Sequence, residues 1–206
     1  MRTISGAVAA TLLVIGTVMA QSPAPVVAET PPPQVQKRFA PGGSIYMDLS
    51  AGGYVIEGTP DPSIRIRWTT RDTSDAGSVR ATADVEGTHA RIMIAGPKNG
   101  FSAHLEVPVR SDVAVSLSAG DLVLGGLVGD KDLSAWAGKI DVAVPNRDDY
   151  YSVRASVTAG EIRAEPFQVH KGGVFRSFWW EGKGRHALRV RLTAGDVVLH
   201  AGRDVK

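Results

Sequence analysis

Four carboxylates follow glycines in a recurring pattern. Asp121, Glu161 and Asp196 come one position after Gly120, Gly160 and Gly195, and Asp141 comes three after Gly138. Paired acids on one exposed sheet face are the groups a polysaccharide-active enzyme uses, one protonating the leaving oxygen while the other attacks or activates water. Arg163, two positions after Glu161, shares its face on any strand. A ladder of like charges would repel unless Lys, Arg or a metal ion stood between its rungs. Most of these acids also flank a glycine, where they keep a corner hydrated, and that is the reading adopted. Asp130-Lys131-Asp132 and Asp148-Asp149 are turn acids and supply too few ligands for a calcium loop.

The 5 histidines are His89, His104, His170, His186 and His200. No two have metal-ligand spacing, and His104 and His200 fall at positions expected to face outward. The chain has no Gly-x-Ser-x-Gly elbow, phosphate loop or dinucleotide fingerprint. No catalytic, cofactor-binding or metal-ligating residue is therefore assigned, and the expectation is a non-enzymatic protein without cofactors.

One segment has a distinctive composition: Val174-Phe175-Arg176-Ser177-Phe178-Trp179-Trp180-Glu181-Gly182-Lys183-Gly184-Arg185. Consecutive tryptophans on a strand face opposite ways, so one of Trp179 and Trp180 lies outward or at an end. Exposed aromatics beside cations form flat stacking surfaces with polar edges, as sugar or peptide recognition requires. Arg176, Phe178, Trp179, Trp180 and Arg185 are the candidate ligand surface, which Trp136, Tyr150 and Tyr151 join if strands stack in register. The alternative is that this strand covers an open end of the stack, with Phe39 to Met47 covering the other.

The positioning elements are legible as a repeat. Around Gly52, Gly120, Gly160 and Gly195, apolar residues stand at −7, −5, −3, +2 and +4, as in Val113, Val115, Leu117, Leu122 and Leu124. Gly138 centres a weaker copy with Lys131 at −7, where an apolar residue belongs, so that the repeat runs 120, 138, 160 in steps of roughly 20 residues, the length of a short solenoid coil. Period-two alternation means strands with these residues facing inward. The five-residue step from −3 to +2 reverses the face, so a glycine bulge or corner must restore it. Further alternating runs (Ile64-Ile66-Trp68, Val79 to Val85, Ala90 to Ile94, Ala103 to Val107) lie between turn signals. The expected fold is all-β, a single-domain stack of the β-solenoid or parallel β-helix type with glycine corners, the alternative being an antiparallel β-sandwich.

Residues 1–20 read as a secretory signal peptide, with Arg2, an apolar core from Ala7 to Val18, and Val18-Met19-Ala20 before Gln21. Residues 21–37 read as a Pro-rich linker and 38–206 as the folded domain. The chain has 0 cysteines, which excludes disulfides and thiolate metal sites and fits a bacterial envelope protein. A formal charge of +2, with basic and acidic residues interspersed, is not a nucleic-acid footprint.

Three motifs in combination resemble the bacterial DUF4097 group of adhesin-type, β-solenoid-like domains. They are Gly53-Tyr54-Val55-Ile56-Glu57-Gly58, Leu105-Glu106-Val107-Pro108 and the Ser118-Ala119-Gly120-Asp121-Leu122 unit with its relatives. The resemblance spans residues 40–202; this chain differs in writing Ala before each repeat glycine and in inserting Phe167 to His186. It implies a β-rich surface or periplasmic protein with no transferable catalytic set. The functional expectation is an exported, adhesin-like scaffold, periplasmic, cell-surface or extracellular. Its partners would be envelope polysaccharide or a surface protein, not nucleic acid, and it would not be an integral membrane protein after cleavage. Strand edges offer a route to homo-oligomers. The alternatives are a carbohydrate- or peptide-binding module using Phe175 to Trp180, or a polysaccharide-active β-helix enzyme.

Overall fold

The five repeat glycines lie side by side across the molecule, and the fold is built around that line. In the computed structural model, which describes residues 34–97 and 99–202, Gly52, Gly120, Gly138, Gly195 and Gly160 are consecutive register partners. The strands that carry the last four are β8 (Ser111–Gly125), β9 (Lys131–Ala143), β12 (His186–His200) and β10 (Tyr150–Ala164). All four run parallel and bend at the glycine, so each contributes its first half to one leaf and its second half to another.

At the bend, register partners step from Leu117/Ala135 to Ala119/Ala137 and from Val157/Leu192 to Ala159/Ala194. Ser118, Trp136, Thr158 and Thr193 occupy the step and form a stacked bulge that resets the inward face. The glycines after it hold φ of +116° to +141°. A Cβ added at Gly138 would lie 2.6 Å from the Gly120 carbonyl carbon and closer still to its oxygen. Only glycine satisfies both the backbone angle and the strand approach.

The first leaf continues from β8 through β2 (Gly43–Leu49) and β6 (His89–Ala95) to β5 (Arg80–Glu86). The second continues through β3 (Gly52–Thr59), β7 (Phe101–Pro108) and β4 (Ser63–Thr70) to β1 (Gln34–Arg38). Inward residues of both leaves form one core that includes Ile45, Met47, Tyr54, Leu105, Leu122, Leu133, Ile140, Val153 and Val197. Every residue at the −7 to +4 apolar positions of the four strong copies is buried, as the periodicity requires. β11 (Val169–Glu181) pairs antiparallel with β10 and forms the far edge of both leaves. The remaining short elements are 3-10 turns, and no helix among the described residues is long and apolar enough to cross a membrane.

The structure refines four expectations. First, the stack does not follow chain order: β12, last in sequence, lies between β9 and β10. Phe167 to His186 carries the chain out along the edge strand and back to that slot. Second, the folded unit starts before residue 38, because Gln34 to Arg38 pair with β4; residues 1–33, including the signal and the rest of the linker, lie outside the described residues. Third, Phe39 to Met47 do not cover an end of the stack. Ile45 and Met47 sit on β2, an interior strand, while β1 and β5 form that end. Fourth, the row of the stacked bulge continues into the edge strand β11, where Phe175 has φ +51° and no register partner between Val174 and Arg176.

Lys131 explains why the Gly138 copy looks weak. It lies at the inward −7 position between Val113 and Leu188 and is buried. Its Nζ donates to the Gly129 carbonyl and meets Tyr150 Oη, each at 3.0 Å. Desolvation lowers its pKa to about 8, against the opposing pull of Asp130, Asp112 and Asp149. Desolvation likewise raises Tyr150, to about 12, and Asp149 pushes it the same way. A lysine released early in the native state adds stability as pH rises from about 8 towards 10.5, because the unfolded chain still holds that proton. Above pH 10 the protonated Tyr150 works the other way. Urea midpoints are therefore expected to rise between pH 7.5 and 9.5 and fall beyond about 10.5. Lys131→Met should abolish the rise; a rise that persists in this variant would assign it to other groups.

Candidate functional site

The outward face of the first leaf, between β9 and β11, brings together two exposed tryptophans, Trp136 and Trp179, and a group of arginines. Asp132, Arg189, Arg154 and Trp179 are successive register partners across β9, β12, β10 and β11. The neighbouring row reads Ser134, Arg191, Ser156 and Ser177. Trp136 and the threonines of the stacked bulge border this row, and Trp136 is 69% exposed. Trp179 is 60% exposed. Three strand spacings of about 4.8 Å separate β9 from β11, so the two indoles flank a strip of at least roughly 14 Å.

The charges on this strip are unevenly matched. Arg191 Nη2 donates to Asp132 Oδ1 at 2.8 Å, and Arg189 Nη1 reaches Asp132 Oδ2 at 3.4 Å. Arg154 has no carboxylate partner among the described residues; its guanidinium stacks 5.5 Å from the Trp179 ring centroid. That contact engages the face of the indole and leaves the N–H fork of Arg154 without a carboxylate partner. Two shallow depressions overlap here, sharing Ser156 and Arg191, one beside Trp136 and the other beside Trp179. A groove of about 930 Å³ continues from Arg154 and Arg189 past Tyr151 and Asp132 towards Tyr46 and Arg91.

Sequence reasoning placed the site on β11, and the strand divides those residues between its two faces. Trp179 is outward, as one of the tryptophan pair had to be. Phe178 is buried and Trp180 is partly buried against the core, their rings 5.3 and 5.1 Å from that of Phe167. Both residues are therefore removed from the candidate surface, because a strand cannot turn consecutive side chains to one face. They cover the end of the core, while Trp179 on the same strand faces outward. Arg176 is exposed but donates Nε to the Gly172 carbonyl at 2.8 Å, beside the Phe175 bulge. Arg185 lies in the β11–β12 turn and lines a different hollow with Arg110 and Val128. Tyr150 is buried beneath Lys131, whereas Tyr151 and Trp136 reach the shared face.

Arg154, Arg189, Arg191 and Asp132 were not singled out from the sequence, although a signal existed. Arg154, Arg189 and Asp132 all stand six residues before a repeat glycine, and Arg191 stands four before. Outward offsets of a repeat align across neighbouring strands as surely as inward ones do.

On the opposite leaf two acids of the repeat, Asp141 and Glu161, are held in ion pairs. Asp121, Lys139, Asp196 and Glu161 form one outward row, while Asp141 lies one row on, beside Val123 and Val198. Lys139 Nζ reaches Asp141 Oδ2 at 2.7 Å, and His200 Nε2 lies 3.1 Å from Asp141 Oδ1. His170 and Arg163 both bond Glu161, and these bonds hold its carboxyl below the ordinary range, the His170 bond contributing most. His104 Nε2 lies 3.0 Å from Glu57 Oε2, and Glu106 binds Arg65 and Arg67. No group of three or more metal-ligating side chains occurs among the described residues.

Neither the protein-family models nor the curated proteins match this chain. Among solved structures, it is similar to the crystal structure of a “putative cell adhesion protein” from Clostridium sporogenes. The identity is 13%, the TM-score 0.50, and the match covers 82% of this chain and 99% of that one. At that identity the likeness concerns the fold: the all-β architecture is shared.

Proposed function

We propose that this chain is an exported, non-enzymatic interaction module of the adhesin type, and that it holds a carbohydrate chain on the outer face of its first leaf. The observation that carries this reading is the pairing of Trp136 and Trp179 as outward rings at either side of a strip of arginines and hydroxyls. Flat exposed indoles on a rigid sheet offer stacking surfaces without the entropy loss of a mobile loop. The fold-level neighbour is named for cell adhesion, and the motifs shared with the DUF4097 group point to the same setting.

The reading is tested on a glycan array with purified residues 21–206, beside Trp136→Ala and Trp179→Ala. Each variant is expected to lose tenfold or more in affinity, in keeping with about 1–3 kcal/mol for an aromatic stacking contact. Circular dichroism should be unchanged, since neither indole is in the core. Wild-type binding that survives both substitutions would move the site elsewhere, and absence of any glycan binding would overturn the reading.

A further inference from the structure

We infer that the carbohydrate held on this face is a polyanion, a glycan bearing carboxylate or sulfate groups, read by Arg154, Arg189 and Arg191. The inference rests on the carbohydrate-binding reading above and specifies its ligand class. The argument is charge complementarity. Between Trp136 and Trp179 the strip carries three guanidinium groups and one carboxylate, Asp132, which alone engages Arg189 and Arg191. Among the described residues Arg154 has only the Trp179 ring as partner.

A free guanidinium fork presents paired N–H donors that match a carboxylate or sulfate bidentately. In this arrangement the ring of a bound sugar lies on an indole while its acidic substituent meets the adjoining guanidinium. Asp132 gives the empty face a resident anion, so a ligand carboxylate competes with it for Arg189 and Arg191. The hydroxyls of Ser156 and Ser177 lie in the adjoining row and suit the ring hydroxyls of a polysaccharide, while that of Ser134 donates to the Val115 carbonyl. An acidic peptide satisfies the arginines but leaves the indoles without flat partners.

The competition gives a test that a merely structural role would not reproduce. Binding of the intact chain is measured to polygalacturonate, to the same polymer with its carboxylates methyl-esterified, and to polyglutamate. Polygalacturonate is expected to bind at least tenfold more tightly than its ester, with affinity falling as salt rises. Arg154→Gln should weaken that binding about tenfold, while Asp132→Asn should tighten it about two- to fivefold by releasing Arg189 and Arg191. Equal binding of the ester would overturn the polyanion inference and leave the carbohydrate reading standing. Failure of both glycans to bind would remove both. Polyglutamate binding as tight as polygalacturonate, or weaker glycan binding by Asp132→Asn, would also overturn the inference.

Discussion

Gly138→Ala is expected to destabilise the native fold severely. The added methyl would overlap the Gly120 carbonyl of the paired strand, and Gly120 itself lies against the Gly52 carbonyl in the same way, so β8 cannot shift at that point alone. The backbone there also has φ +125°, where an L-residue is strained even in open space. Relief requires β8 and β9 to separate across the whole ladder, and those strands carry core residues such as Leu117, Leu122, Leu133 and Ile140 on either side of the glycine line. Together the clash and the strain should cost roughly 4–5 kcal/mol or more, the range reserved for severe lesions, against a total stability of about 5–15 kcal/mol. Gly53→Ala is the control, because its Cβ would meet nothing nearer than Ser102 Cβ at 3.8 Å. Expression, thermal melting and near-ultraviolet circular dichroism should separate the two variants sharply. A folded Gly138→Ala protein within about 1 kcal/mol of wild type would mean that the ladder tolerates side chains and that the glycines serve another purpose.

That ladder was legible in the sequence because it depends on local rules. Inward positions such as Val153 and Leu199 follow from period two, and the parity reversal after Ala119 or Ala194 demands a bulge whatever the partner strand is. Strand order was not legible, since parallel neighbours share hydrogen-bonding geometry but no turn, and nothing in the repeat unit says which copy lies beside which. The insertion from Phe167 to His186 marked the place where chain order breaks. Only the pairing of Gly195 with both Gly138 and Gly160 shows where the chain returns.

The candidate face was half legible for a related reason. Strand alternation required one outward tryptophan, but it could not say that Trp179 rather than Trp180 faces out, because that depends on the inward fit of Phe178 and Trp180 against Phe167. Arg154 and Arg189 are distant in sequence from Asp132 and become neighbours only through the insertion of β12. Their shared offset of six residues before a glycine was visible, yet outward positions carry no hydrophobic signal to draw attention to them. Lys131 shows the converse. A polar residue at an inward offset looked like a defect in the repeat, and the structure buries it with Tyr150 as its partner.

Because β12 fills a slot between strands that precede it, deletion of residues 186–206 is expected to unravel the C-terminal half of the sheet. β12 pairs with β9 from Leu188 to His200 and with β10 from His186 to Leu199, so its loss leaves two interior strands with open edges at once. Leu188, Val190, Leu192, Val197 and Leu199 leave the core together. At about 1.5–3 kcal/mol for each buried aliphatic side chain, the loss is on the order of 10 kcal/mol and rivals the stability of the whole domain. β9 and β10 cannot simply close the gap, since Tyr150 and Lys131 are already set against each other and the β10–β11 hairpin would have to move with β10. Limited proteolysis should then cut within residues 126–185, and hydrogen exchange there should accelerate towards unfolded rates. The candidate face would disappear with it, because Arg189 and Arg191 are deleted and Arg154 loses the strand that aligns it with Asp132. A synthetic peptide covering residues 186–202, added in excess, is expected to restore protection by occupying the same slot in parallel register. Protection of residues 126–185 without β12 or the peptide would show that β9 and β10 can pair directly, and the slot would then be a consequence of β12 rather than a requirement for it.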